Sequence, residues 1–476
     1  MLDAARLAKL DGFVNATRSA VFVRRADRLL LIRPEKTLGV NDSAAAIIEA
    51  LYARDRKPAA DVLRALAPQL GAKPEQLLTD AEKLLDAIRA MMRDDFSARE
   101  MVRMVDFDRT RIKFPVLAEI AVTYACQNRC AFCYAASPYR DGEHKVMTAT
   151  QVKTVMDKII NEAHVPSLSF TGGEATLRPD LPELIRHGAD LGLRVNLITN
   201  GVRACDATFA KTLVDAGLAS AQVSIEAAEA GLHDLLVGRQ GSFDATVAGI
   251  RNFKKLGIHV HTNSTLCKAN LEKAPDLIRF VARDLKLPTL SMNMLIRTGT
   301  ALTPPTEPVS YSEICKVLPD LAAVAKAEGI RFVWYSPIPY CLVNPVLIGQ
   351  GAKSCSCVAG ILSVDPAGNL LPCSSFGQGI GSLLTSSYAE IMASPAARYW
   401  KERDYVPPAC KDCPDVDVCA GACPLYWDAA GSFAELPRAG ACDPAARTAW
   451  EKQRRLGQSF GVQAPGASRV SAGEVH

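Results

Sequence analysis

The sequence has little net charge. Its 55 lysines and arginines nearly balance 51 aspartates and glutamates, leaving +4. No basic stripe with interleaved aromatics runs along it, so nothing argues for a nucleic-acid partner. The N-terminus, MLDAARLAKLDGF, lacks a basic stretch followed by an apolar core and a small-residue cleavage site, which argues against a signal peptide. No apolar run is long enough to cross a bilayer, so no membrane partner is expected and a cytoplasmic location follows. With 476 residues, 49% hydrophobic and 22% charged, the chain should fold into two or three globular domains.

What the sequence does have is cysteine. There are 15, an odd number, and most lie in tight clusters. Disulfide frameworks belong to small secreted domains, whereas clustered cysteines in a long cytosolic chain bind metal more often.

Three regions follow one another. In the first, residues 1–99, AVFVRRADRLLLIRP reads as two short strands around Val21 to Val23 and Leu29 to Ile32. NDSAAAIIEALYARD, with Asn41 or Ser43 as a cap, and two further amphipathic patterns read as three helices. A small sheet followed by helices is winged-helix-like. In the second, residues 112–337, six strand patterns alternate with helices: VLAEIAVTY, SLSFTGG, RVNLITNG, AQVSIEA, HVHTNSTL and LSMNMLI. Thr148 and Ser242 are placed to cap helices, and Gly257 falls at a helix end. This is an α/β pattern and implies a partial (β/α)6 TIM-type barrel with functional groups at the C-terminal ends of its strands. The third, residues 338–450, is loop-rich, short of helix signal and dense in cysteine, so metal ligation should supply its stability. Residues 457–476 read as a disordered tail.

Directly after the first barrel strand comes CQNRCAFC, with Cys126, Cys130 and Cys133. Three thiolates on one short loop can hold three irons of a cubane and leave the fourth open, as a catalytic metal requires. The same three could instead share a zinc ion with a distant fourth ligand. The C-x3-C-x2-C spacing, with an aromatic at Phe132, resembles the radical S-adenosylmethionine (SAM) superfamily. The resemblance implies a four-iron cluster whose open iron takes the amino and carboxylate groups of SAM, and a 5′-deoxyadenosyl radical that abstracts hydrogen. It further implies SAM contacts at Phe132, at Gly172, Gly173 and Glu174 in TGGEAT, at Asn200, at Ser224 and at Arg239. Ala175 replaces the usual proline after that glutamate, and Glu226-Ala227 replaces a commoner Asp-Gly pair. No catalytic side chain is singled out.

The third region carries Cys341, Cys355, Cys357, Cys373 in GNLLPC, then Cys410, Cys413, Cys419 and Cys423 in C-x2-C-x5-C-x3-C spacing, and Cys442. Alone, the tight group could be a four-cysteine zinc site. With the glycine element before Cys373 and the trailing Cys442 it resembles the SPASM extension, which implies two auxiliary four-iron clusters and three in all. One would take Cys357, Cys373, Cys423 and either Cys341 or Cys355; the other would take Cys410, Cys413, Cys419 and Cys442. Cys205, Cys267 and Cys315 read as ordinary buried thiols.

The segment RLLLIRPEKTLGVNDSAAAIIEAL resembles the PqqD-like precursor-peptide recognition domains, which add a leader peptide to a sheet edge. The three resemblances together imply a maturase of a ribosomally made peptide, with the precursor and an electron donor such as a flavodoxin or ferredoxin as partners. A sulfatase-maturing enzyme is the second reading, although Ser374 stands where an aspartate would follow the cysteine. A non-catalytic iron–sulfur peptide-binding or redox protein is the third.

Overall fold

A computed structural model of the chain describes residues 2–32, 36–53, 55, 57–93, 112–137, 145–302 and 307–459. They divide into two compact units, Met1–Phe114 and Pro115–His476.

The first unit opens on a helix, α1 (Ala4–Thr17), capped by Asp3, whose carboxylate accepts from the Ala5 and Arg6 amides. Strands β1 (Val21–Arg24), β2 (Leu29–Ile32) and β3 (Lys36–Gly39) form an antiparallel sheet in that order, with β1 and β3 as its edges. Helices α2 (Asp42–Leu51), α3 (Ala59–Leu66) and α4 (Pro74–Met92) follow. Asn41 caps α2 by accepting from the Ala44 amide at 2.8 Å. Leu10, Val14, Leu30, Ile48, Leu63, Leu78 and Ile88 meet in one core. The fourth helix and third strand exceed the sequence expectation: α1 was masked by its weak amphipathicity, and β3 by a short polar run. Between β1 and β2 the buried Arg24 and Asp27 pair at 2.7 Å.

The second unit carries the expected alternation. In chain order it comprises β4 (Leu117–Ala121), α5 (Ala149–Asn161), β5 (Ser167–Thr171), α6 (Leu181–Asp190), β6 (Arg194–Thr199), α7 (Ala207–Asp215), β7 (Ser220–Ser224), α8 (Ala230–Val237) and α9 (Ser242–Lys255). It continues with β8 (His259–Leu266), α10 (Lys268–Leu271), α11 (Ala274–Arg283), β9 (Thr289–Met294), α12 (Tyr311–Ala327) and β10 (Arg331–Trp334). Neighbouring strands from β4 to β10 pair in parallel, in sequence order, as a partial barrel of TIM type. A capping box of Thr148 and Gln151 starts α5. Ser242 is not a cap: Gly241, at φ +75°, precedes α9, and Asp234 accepts from the Gly241 and Phe243 amides instead.

On the other flank of β4 lies β11 (Ile361–Val364), also parallel, followed by antiparallel β12 (Asn369–Leu371) and β13 (Gly381–Ser382). Five helices complete the unit: α13 (Tyr388–Met392), α14 (Pro395–Lys401), α15 (Val416–Cys419), α16 (Pro424–Ala430) and α17 (Pro444–Ser459). The expectation of a helix-poor C-terminal region is therefore corrected. Most of these helices are too short to show a full amphipathic period. The tail expected from 457 begins inside α17, and its remainder lies outside the described residues. Among the described residues no helix is long and apolar enough to cross a membrane.

Candidate functional site

Cys126, Cys130 and Cys133 occupy the loop at the C-terminal end of β4, each half-buried. Their loop is held from three sides. The Arg129 and Ala131 amides donate to Val237 and Leu236 at the end of α8, at 2.9 and 3.1 Å. Thr300, after β9, accepts from the Cys133 amide at 2.7 Å and donates to the Cys130 carbonyl at 3.1 Å. On the third side, Gly173 and Glu174 donate their amides to Thr123 and Ala125, both at 2.8 Å.

That third contact explains the two glycines. A Cβ on Gly172 would lie 2.0 Å from the Thr123 carbonyl oxygen, and one on Gly173 2.4 Å from those of Tyr124 and Ala125. The close approach is to the backbone leading into Cys126, a demand that the sequence pattern alone assigned to a ligand.

Glu174 is fully buried. Its Oε1 accepts from the Thr176 amide, the Thr176 hydroxyl and the Thr199 hydroxyl at 3.0, 2.6 and 2.7 Å. Among the described residues its Oε2 accepts only the Asn200 amide, at 2.8 Å, so that oxygen has a further lone pair to offer. Asn200, at the end of β6, points its Nδ2 at Cys126 Sγ across 3.9 Å and accepts from Gln127 Nε2 at 3.1 Å. Ser224 ends β7, half-buried. Arg239 is exposed and donates to the Gln127 carbonyl at 3.4 Å. Phe132 packs on Leu236, Cys267, Leu295 and Ala301. Thus Gly172, Gly173, Glu174, Asn200 and Arg239 all touch the cysteine loop or its approach, while Phe132 faces an apolar cluster beside it.

The donor set fits a cubane. It is all sulfur, and burial pushes the Cys126 thiol up to about 12 and the Cys130 thiol well up, so metal binding here would release protons. Two buried acceptors beside it, Gln127 Oε1 and Asn128 Oδ1, have no partner among the described residues.

The C-terminal cysteines sort into two groups that differ from the sequence expectation. Cys357, held beside Cys373 by the Val358 amide donating to the Pro372 carbonyl at 3.2 Å, is in electrostatic contact with Cys355, Cys373 and Cys423. Cys355 Sγ is 2.7 Å from Cys357 Sγ, so of the two alternatives Cys355 lies beside this group. Burial pushes the Cys423 thiol up to about 12 and the Cys373 thiol well up. Cys341 instead lines one cavity with Cys410, Cys413 and Cys419, closed by Arg438, whose Nη2 donates to Cys413 Sγ at 2.7 Å. Cys442 is exposed and does not line that cavity. The reason is β10: its end delivers Pro339–Cys341 to the Cys419 loop, where the Tyr340 amide donates to Cys419 Sγ at 3.5 Å. Cys205 is exposed, whereas Cys267 and Cys315 are buried as expected.

Two buried carboxyls stand outside the expected site: Glu119, which the sequence reading passed over, and Glu226, which it named only as a departure from the family pair. Glu119, on β4, accepts from Ser363 of β11 at 2.6 Å and from Ser374, the residue after Cys373. Glu226, after β7, accepts from the Thr265 amide at 2.8 Å, and burial pushes it up to about 8. A lone acid inside an apolar strand was the available signal at Glu119.

Residues 120–281 match the Radical SAM superfamily and residues 355–414 the SPASM iron–sulfur cluster-binding domain. With the β4 cysteine loop on a partial barrel, they define a radical SAM enzyme that carries iron–sulfur clusters. More particularly, the chain is similar to the PqqA peptide cyclase of Methylocella silvestris, 28% identical over 69% of this chain and 86% of the relative. It is also similar to the AdoMet-dependent heme synthase of Methanosarcina barkeri, 27% identical over 67% and 95%. Among solved structures, SuiB of Streptococcus suis bound to precursor peptide SuiA shares the fold, with TM-score 0.64 at 14% identity over 86% of this chain and 95% of SuiB. Native anSMEcpe with bound AdoMet gives 0.52 at 17% identity over 72% and 97%.

Proposed function

We propose that this enzyme modifies a ribosomally made peptide, forming a crosslink or related bond after hydrogen abstraction. The observation that carries the reading is the front unit. The likeness to SuiB covers 86% of the chain, more than the second unit alone supplies, and SuiB is bound to a precursor peptide. Here residues 1–99 serve as the PqqD-like leader-recognition domain, with the edge strand β3 offering backbone groups to an added strand. Residues 112–337 act as the radical SAM domain and 338–450 as the auxiliary domain.

Cys126, Cys130 and Cys133 hold the radical-site cluster, with Glu174 Oε2 placed to accept from the SAM amine. Gly172 and Gly173 fit the loop beneath it; Asn200, Ser224, Arg239 and Phe132 flank the cofactor. When bound, SAM and this cluster supply the 5′-deoxyadenosyl radical. Cys355, Cys357, Cys373 and Cys423 hold one auxiliary four-iron cluster, and Cys341, Cys410, Cys413 and Cys419 the other. A flavodoxin or ferredoxin supplies electrons.

The heme-synthase relatives bring a tetrapyrrole substrate as the second reading, favoured by their nearly equal identity. One experiment separates the two. The full chain, reconstituted anaerobically with SAM and reductant, is given a peptide from a short neighbouring reading frame or an iron porphyrin. Peptide that loses hydrogens in mass, with 5′-deoxyadenosine formed in step, supports the proposal. Turnover of the porphyrin alone overturns it.

A further inference from the structure

Resting on the peptide reading above, we propose that Arg194, His259 and His261, on the inner face of the barrel, form a subsite that takes a carboxylate of the substrate peptide away from the reacting carbon.

Strand register defines that face. Ser169 stands opposite Asn196, Asn196 opposite Ser220, and Ser220 opposite His259. One rung further along, Gln222 stands opposite His261, and beyond it Asn263 lies between Ser224 and Ser291. Side-chain hydrogen bonds run across the same face. Asn196 bonds to Ser169 and Ser220 at 3.1 and 2.8 Å, His261 Nε2 lies 3.1 Å from Gln222 Oε1, and Asn263 donates to Asn293 at 2.9 Å. A closed barrel of this type is filled inside by branched apolar side chains. Here the wall is hydroxyl, amide and imidazole. Solvent reaches it: Tyr335, whose hydroxyl is 3.4 Å from His261 Nε2, is 46% exposed. Such a wall suits a polar peptide chain better than an apolar macrocycle.

Its charge is one-sided. Strands β6 to β10 contain Arg194, His259, His261 and Arg331 and no aspartate or glutamate. Arg194 stands opposite Ser167, two residues before Asn196 and so on the same face, and Arg331 stands opposite Thr289. Arg194 and His259 are two strands apart, about 10 Å, within the span of an arginine side chain. The two imidazole rings lie 5.6 Å apart, centre to centre. Burial, then Arg194, depresses the His259 imidazole; burial, then His259 and Arg194, depresses that of His261 to about 4. Arg194 is half-buried with no ion pair among the described residues. The acid on this face, Glu119 of β4, already accepts from Ser363 at 2.6 Å. His261 Nδ1 is buried and also without a partner there.

A partly desolvated guanidinium calls for opposite charge, and a carboxylate meets it with two parallel hydrogen bonds. The same carboxylate would favour protonation of the neighbouring imidazoles. From Arg194 to Asn200 beside Cys126, β6 and its end span about 20 Å at the usual strand rise. The subsite therefore grips a part of the peptide remote from the carbon that loses hydrogen.

The test uses the full chain, reconstituted and carbon-13-labelled at its 7 histidines, with the two signals identified from His259→Gln and His261→Gln. N-acetylglutamic acid α-amide offers a side-chain carboxylate, N-acetylglycine a chain-terminal one, and N-acetylglutamine α-amide neither. The acids should move both signals towards the protonated position, less so in added salt, and the tighter of the two identifies the source. Arg194→Gln should loosen them by about tenfold or more, and Arg194→Lys by less. An Arg194→Gln chain that binds the acids as the parent does overturns the inference. So do parent signals unmoved by either acid, or moved equally by the neutral amide, a comparison that needs no variant to fold. Because binding is read without turnover, loss of this subsite and loss of the peptide reading are separate outcomes.

Discussion

The Asn200 amide donates to Glu174 Oε2 at 2.8 Å, while the Asn200 side chain reaches Cys126 Sγ at 3.9 Å. One residue thus ties the buried carboxylate of the second strand end to the cysteine loop of the first. Glu174→Ala would leave four donors without their acceptor. Hydrogen bonds to a charged group contribute about 1.5–3 kcal/mol each, so the variant should lose at least about 3 kcal/mol of stability. 5′-Deoxyadenosine formation should fall more than ~10-fold in both Glu174→Ala and Glu174→Gln. A Glu174→Gln variant with undiminished cofactor cleavage would show that the negative charge is dispensable there.

Gly173 is a steric requirement. Its Cβ would meet two backbone oxygens at 2.4 Å, and backbone cannot swing aside as a flexible side chain can. Gly173→Ala should displace the segment leading into Cys126. Iron per chain should drop by ~4, the content of one cubane, with the auxiliary iron retained. Iron and acid-labile sulfide after reconstitution read this directly.

The auxiliary ligands can be separated by the same assay. Cys341→Ala should cost ~4 irons per chain, whereas Cys442→Ala should keep the parental ~12. The reverse pattern would return Cys442 to the second cluster.

His261, inside the barrel on β8, bears on pH. Its Nε2 lies 3.1 Å from Gln222 Oε1. Burial, then the neighbouring His259 and Arg194, push it from its ordinary 6.5 to about 4. The unfolded chain takes up a proton below 6.5 that the folded protein refuses until about 4. Stability is therefore complete above that window and falls as pH drops through it, by about 3 kcal/mol at most. Thermal unfolding between pH 4 and 7 should show a flatter profile for His261→Gln than for the parent.

How much of this was legible in sequence differs by element. The strands from β4 to β9 were readable because apolar runs of strand length alternate with long amphipathic helices. The three-cysteine loop after β4 was readable because one short segment supplies Cys126, Cys130 and Cys133. Ser242 misled because a side chain from α8, Asp234, took over its capping role across a turn. That Cys341 would line a cavity with Cys410, Cys413 and Cys419 was not readable, since it depends on where the segment after β10 runs in space.

β11 lies beside β4 as a parallel neighbour, Ser363 bonded to Glu119 across the pair. The strand that feeds the cysteine loop is therefore an interior strand only while the C-terminal region is present. The auxiliary region is no detachable cassette: a chain cut after β10 would bare a parallel edge of β4 and strand a carboxyl group beside the radical site.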